Sequence, residues 1–471
     1  MLFSSLIFLF YFLPVFLAIY LLSPRKYHNF VLLTFSLIFY AWGEPRFIPL
    51  LVFIIAANYL AGLLIDQSHG TARKAFLWLG VLGNIGILAL FKYSNFLLGI
   101  GEDIFNVTFP FPRLKHMMLP LGISFFTFKA LTYIIDVYRG RVTATKNFTN
   151  LATYIFMFPQ LVAGPIVRYE MIEHELRDRS ISAAKLLEGS KLLIIGLASK
   201  VIFANQLAIY ADDIFSKAPE YLSMGLSWLG AVSYTLQIYF DFAGYSLMAI
   251  GLGKMIGFNT PDNFNLPYLS RSVTEFWRRW HITLSSWFRE YLYIPLGGNR
   301  RGKLVTYRNL FVVFLLCGIW HGANFTFLVW GVYHGFFLIL ERWSRDHRGY
   351  MQMPRLIRHI YLLLVITVGW VIFRSDNLGY ALDYIGVMFG IIDVQEYYTV
   401  NIFSHLPLIA LLLTSIVCSS FNERSILALK NRAHTTLAGM LLGRSGYAVV
   451  LLVCVVILVI NTHNPFIYLR F

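Results

Sequence analysis

His321 lies deep in an apolar run, NLFVVFLLCGIWHGANFTFLVWGVYH, that extends from Leu310 to Leu340. At membrane depth an ionisable side chain costs roughly 2–3 kcal/mol on insertion scales when fully charged, so something must use or satisfy it. Two readings follow. His321 is either a core histidine bonded to a backbone carbonyl or to Asn324, three residues on and on the same helix face, or it is a general base. Neutral imidazole, with an ordinary pKa of about 6.5, can take the proton from a hydroxyl as it attacks a carbonyl, and such a base contributes typically ~10²- to 10⁴-fold. Cys317 sits one turn earlier on that face, either as an acylated nucleophile or as an inert buried thiol.

A second imidazole, His281, stands in RSVTEFWRRWHITLSSWFREYLYIPLGGNRRGK with Trp277, Leu284 and Phe288 on its side. It reads as an interfacial histidine among aromatic anchors or as a second polar group of one reaction chamber. Asp241 interrupts the aromatic run YTLQIYFDFAGYSLMAIG, where an unpaired carboxylate is expensive. An Arg of the WRRW segment or an imidazole is its expected partner, in a structural ion pair or in an orienting role. Arg278, Arg279, Arg289, Arg300, Arg301 and Lys303 form a basic cluster that suits anionic lipid headgroups or, collectively, a phosphorylated cofactor. No GxSxG, HExxH or Walker motif occurs, which removes the common hydrolase, zincin and ATPase signatures.

The elements that must position these groups are membrane elements. The chain is 58% hydrophobic and only 13% charged, against the roughly 25% charged expected of a soluble protein. Twelve segments approach the roughly 20 apolar residues needed to cross a bilayer: 2–22, 29–43, 47–65, 75–91, 120–137, 150–166, 187–208, 226–253, 309–340, 357–373, 405–420 and 446–462; about eleven are expected to cross, with one or two re-entrant or interfacial. The predicted class is an all-α polytopic membrane protein. Segment 2–22 lacks a basic start and a small-residue cleavage pattern, so it is expected to stay as a helix. The formal charge of +15 lies in short loops, so it reports topology and not nucleic-acid binding. Arg25 and Lys26, Arg73 and Lys74, and Arg139, Arg141 and Lys146 occupy every second connection, which predicts an extracytoplasmic amino terminus. Beyond Phe158 the prolines of FPQLVAGPIVRYE break the counting.

Apolar positions Val273, Trp277, Trp280, Leu284, Trp287 and Tyr291 predict one amphipathic helix at the membrane boundary. The loop Gly297 to Arg308 is basic enough to be cytoplasmic, and a helix rising from Asn309 would bring His321 to about 18 Å, near the middle of a core about 30 Å thick. The candidate extramembrane segments 92–119, 167–186, 209–225, 374–404 and 421–445 are too short for a separate catalytic domain. Cys317, Cys418 and Cys454 have no paired spacing, so neither a disulfide framework nor a metal site is expected.

FMFPQLVAGPIVRY at 156–169, YTLQIYFDFAGYSLMAIGLGKMIGF at 234–258, NFNLPYLSRSVTEFWRRWHITLSSWFREYLYIPLGGNR at 263–300, CGIWHGANFTFLVWGVYHG at 317–335 and the closing NPFIYLRF resemble the membrane-bound O-acyltransferases, in the branch typified by the alginate O-acetylation membrane protein. The resemblance implies one membrane domain over 1–471, with peripheral helices in 1–119, a catalytic core in about 120–340 and closing helices in 341–471, forming a helical ring around a thinned centre. It implies a cytoplasmic thioester donor, acetyl-CoA, with His321 as the essential histidine and His281 as the second family histidine. It also implies delivery to an extracytoplasmic polysaccharide through a separate SGNH-type transferase, in a bacterial inner membrane. The related D-alanine branch uses a carrier-protein thioester. Composition alone also permits a non-catalytic transporter or export subunit with Asp241 and His321 as a proton relay, and a long-chain O-acyltransferase differs only in donor length.

Overall fold

The computed structural model describes residues 1–106, 119–346, 353–392, 394, 406–420, 437–461 and 463–467, and every secondary-structure element among them is helical. Among the described residues, five helices are long and apolar enough to cross a membrane: Pro45–Gln67, Gly70–Phe105, Ala183–Phe215, Lys303–His321 and Arg355–Arg374. Shorter apolar helices include Phe8–Leu22, Pro407–Ser419 and Ser445–Ile460. The all-helical, multi-pass class expected from the composition is the one observed. Much of the expected extramembrane stretch 421–445 lies outside the described residues.

The described chain divides into two compact units, Met1–Leu193 with Met248–Pro261, and Ile194–Leu247 with Asp262–Phe471. In the first unit the segment expected to span 150–166 is instead a nine-residue helix, Phe148–Phe156, followed by a 3₁₀ turn at Phe158–Gln160. Pro159 and Pro165 lack the N–H that a continuous helix requires. Phe158 then becomes the hub of a phenylalanine cluster, with the rings of Phe16, Phe12, Phe39, Phe8 and Phe3 at 5.1–6.3 Å.

In the second unit, the expected single span 309–340 is two helices, Lys303–His321 and Phe325–Asp346. They fold back antiparallel because two glycines let the backbones touch. A Cβ on Gly318 would come 2.4 Å from the Phe327 carbonyl oxygen, and one on Gly331 would come 2.4 Å from that of Phe314. His321 is therefore the last residue of its helix, beside a turn, and not midway along a straight span. Its helix begins at Lys303, so at about 1.5 Å per residue the histidine stands some 27 Å from the basic end.

The single amphipathic helix expected over 273–291 is also broken. Val273–Arg279 and Ile282–Phe288 are separate helices, with a π-helical turn at Arg289–Tyr293. The break falls at His281, whose φ of +43° is left-handed, a conformation that costs most residues energy. Asn263 holds it there. Its carbonyl accepts from the Ile282 N–H, and its side-chain Oδ1 accepts from both the Thr283 N–H and hydroxyl. The predicted apolar positions Val273 to Tyr291 are all buried, so the periodicity survives in short pieces.

Candidate functional site

His321 is 5% exposed, and three indole or phenyl rings wall it. Trp320, Trp330 and Phe373 stand at 4.8, 5.0 and 5.1 Å between ring centroids, the last two nearly perpendicular to the imidazole. Edge-to-face contact of this kind fixes ring orientation as well as burying area. Phe327, at 6.5 Å, completes the wall. Phe327 and Phe373 also line a cavity of about 190 Å³, together with Asp212, Gln237, Asn324 and Arg374. The cavity therefore adjoins His321 across two rings. Arg374 and Asp212 form an ion pair at 2.7 Å on its wall.

Asn324 is tied to the backbone. Its amide donates to the Asp376 carbonyl at 2.8 Å, while its Oδ1 accepts from the Thr326 N–H. That second bond satisfies a free donor at the start of the Phe325–Asp346 helix. Asn324 thus sets the turn that presents His321.

His281 is buried against the edge of Phe242, 4.7 Å between centroids. Its Nδ1 lies 3.1 Å from Asn263 Oδ1. That oxygen already accepts from Thr283 and can only accept, so the proton is assigned to His281 Nδ1. Nε2 then carries the lone pair, and among the described residues it has no hydrogen-bond partner. Burial pushes the imidazole pKa down to about 3, so the ring is neutral at physiological pH. A run of rings, Trp330, Trp370, Trp280, Phe264 and Phe242, with neighbouring centroids 4.9–6.1 Å apart, links the two histidines.

The partner expected for Asp241 was wrong. Neither an Arg of WRRW nor an imidazole pairs with it: Lys200 does, Nζ to Oδ1 at 2.7 Å, with both side chains 1% exposed. Oδ2 accepts from the Ile467 N–H at 2.8 Å, and Lys200 also donates to the Pro465 carbonyl. Phe466 stacks on Tyr245 at 4.4 Å. Asp241 therefore anchors residues 465–467. The rule that singles out His321 and Asp241 applies equally to Lys200, a cation inside the apolar stretch 187–208 and outside the expected site.

A further imidazole in the run from Leu310 to Leu340, His334, also lay outside the expected site. It is buried between Trp277 and Trp330, at 5.1 and 4.9 Å. Glu341, two turns beyond His334 on the same helix, is buried too and accepts from the Val273 and Thr274 N–H groups and the Thr274 hydroxyl. A carboxylate there complements the positive end of the Val273–Arg279 helix. Cys317 is buried in the hairpin. Of the basic cluster, Arg278, Arg289, Arg300, Arg301 and Lys303 are exposed, while Arg279 is half-buried and pairs with Glu275 at 2.8 Å.

Residues 141–380 match the membrane-bound O-acyltransferase family, and that stretch contains Lys200, Asp241, His281, His321 and His334. The chain belongs to this family. This O-acyltransferase is similar to the probable alginate O-acetylase of Pseudomonas syringae pv. tomato, 46% identical over 406 residues that cover 84% of this chain and 76% of the relative. It is similar to the peptidoglycan O-acetyltransferase of Helicobacter pylori, 38% identical over 430 residues, 84% and 81% of the two chains. The teichoic acid D-alanyltransferase of Bacillus subtilis is 29% identical over 267 residues, 54% of this acyltransferase and 67% of the relative.

Proposed function

We propose that this O-acyltransferase moves an acetyl group from cytoplasmic acetyl-CoA across the membrane for O-acetylation of an extracytoplasmic polysaccharide, with an SGNH-type transferase completing delivery. The observation that carries the reading is His321, held by aromatic rings at the end of a membrane-length helix, in a chain similar to an alginate O-acetylase and a peptidoglycan O-acetyltransferase over 84% of its length. His321 takes the proton from the attacking hydroxyl. The oxygen attacks the thioester carbonyl, the tetrahedral adduct collapses, and the departing CoA sulfur recovers the proton from the imidazolium. His281, through the lone pair on Nε2, accepts a hydrogen bond from an amide N–H of the donor and orients it. Asn324 supports the turn, and Asp241 supports the site through residues 465–467.

Arg278, Arg279, Arg289, Arg300, Arg301 and Lys303 supply a positive field at the start of the His321 helix that draws the CoA phosphates. With that loop cytoplasmic, the donor arrives at one end of the helix and the acceptor at the other, where the cavity beside Phe327 and Phe373 opens toward Asp212 and Arg374. About eleven crossings around a thinned centre, with the amino terminus outside, suit this route.

The test is CoA release from labelled acetyl-CoA by the protein in nanodiscs, with and without an SGNH-type domain. His321→Ala should lower turnover by about 10²- to 10⁴-fold while the protein stays folded. Equal release by the variant, or turnover of palmitoyl-CoA in preference to acetyl-CoA, would overturn the proposal.

A further inference from the structure

The first unit contains a second cavity, of about 300 Å³, that the acyl-transfer chemistry does not use. It opens among the turn after Ser23, the start of the Phe148–Phe156 helix and the end of the Tyr169–Arg177 helix. Four cationic side chains line it, Arg25, Lys26, Arg177 and Arg179, against a single carboxylate, Asp178. Arg25, Lys26 and Arg177 are exposed at the mouth, and Arg177 also pairs with Glu173. Arg179 is 8% exposed.

Arg179 is built into place. Its Nε donates to the Tyr20 hydroxyl at 2.8 Å, and its Nη1 donates to Asn29 Oδ1 at 2.6 Å and to the Glu175 carbonyl at 3.1 Å. Asn29 in turn donates to Asn150 Oδ1 and the Leu176 carbonyl, both at 2.7 Å. The guanidinium lies 4.5 Å from the centre of the Phe258 ring. Yet Nη2 is buried without a hydrogen-bond partner among the described residues. A buried guanidinium with an unused donor edge and three more cations at the rim is an arrangement that anions satisfy, and phosphate oxygens match the planar fork of Arg.

We infer that this cavity binds a phosphate-bearing anion, with Arg179 as its floor and Arg25, Lys26 and Arg177 as its rim. Its position beside loops rich in Arg and Lys suits the headgroup of an anionic phospholipid, and a soluble phosphate compound would satisfy the same donors. The site is independent of the acyl-transfer reading.

Native mass spectrometry of the detergent-released protein would separate the two sources. Phosphatidylglycerol and phosphatidylcholine serve as the lipid probes, and inorganic phosphate and 3′,5′-ADP as the soluble ones. Retention of phosphatidylglycerol over phosphatidylcholine is expected, about fivefold weaker for each charge removed in Arg25→Gln and Lys26→Gln, the scale of one basic residue at an anionic surface. Lys74→Gln, an exposed basic residue outside the cavity, should leave retention unchanged. Displacement of the lipid by 3′,5′-ADP, lost in the same variants, would assign the site to a soluble phosphate. Equal retention of both lipids with no binding of either soluble probe would overturn the inference, as would equal losses in Lys74→Gln. Because Arg25 and Lys26 are exposed, their substitution leaves the fold intact, and an unchanged melting temperature would verify that.

Discussion

Lys200 and Asp241 form a salt bridge from which water is excluded on both sides. Removing one member of such a pair leaves an uncompensated buried charge, at a cost of about 3–5 kcal/mol. Lys200→Met is therefore expected to lower thermal stability sharply, while Lys200→Met with Asp241→Leu should recover part of the loss. A double variant no more stable than the single one would remove the ion pair as the cause. His281 carries a different prediction, because its folded pKa of about 3 lies below the ordinary 6.5. As pH falls from 6.5 toward 3 the unfolded chain gains a proton that the folded ring refuses, so stability present above 6.5 is progressively lost. His281→Asn keeps a residue that tolerates the left-handed backbone and should flatten that acid slope in unfolding curves recorded from pH 7 to 4. An unchanged slope would mean that other groups set it.

The element that matters most is the hairpin of Lys303–His321 and Phe325–Asp346. Its closeness depends on the glycine contact, which makes a sharp comparison possible. Gly331→Ala would drive a methyl against the Phe314 carbonyl oxygen at 2.4 Å, whereas a Cβ at Gly335 meets its nearest neighbour at an ordinary 3.5 Å. The first is expected to cost about 1–3 kcal/mol as an overpacked contact and to lower CoA release by displacing the wall of His321. The second should be nearly silent in both assays, and equal effects would argue against the crossing as the positioning device. The hydropathy of the sequence could not show this fold-back. Glycine is neutral on such scales, so a run from Leu310 to Leu340 reads as one long span even though Gly322 ends a helix. The same blindness hid the break at His281, since the periodicity of Val273, Trp277, Trp280, Leu284, Trp287 and Tyr291 is identical on either side of one left-handed residue.

At the scale of the molecule, the class and the family were legible because both rest on many residues at once: the low charge content, the loop lysines and arginines, and the polar and aromatic order across 263–335. That His281 and His321 are buried was legible because apolar and aromatic residues flank both, a cue that His334 shares. The partner of Asp241 was not, for it lies 41 positions away and pairing across that distance leaves no local pattern. Charge in the loops also carries a topological prediction. Lys146→Cys and Arg300→Cys, each in a Cys418→Ser background, should react with an impermeant maleimide only in inside-out vesicles. Labelling of either in right-side-out vesicles would overturn the proposed orientation.

The bond from the Ile467 N–H to Asp241 joins residues 226 positions apart. During synthesis at about 5–20 residues per second, Asp241 emerges about 11 to 45 seconds before the backbone group that will satisfy its second oxygen. Until then this unit carries a half-served carboxylate in an apolar interior. This unit therefore reaches its native interior only after residues 465–467 have been made, and a nascent chain stalled before Pro465 would remain a target for membrane quality control.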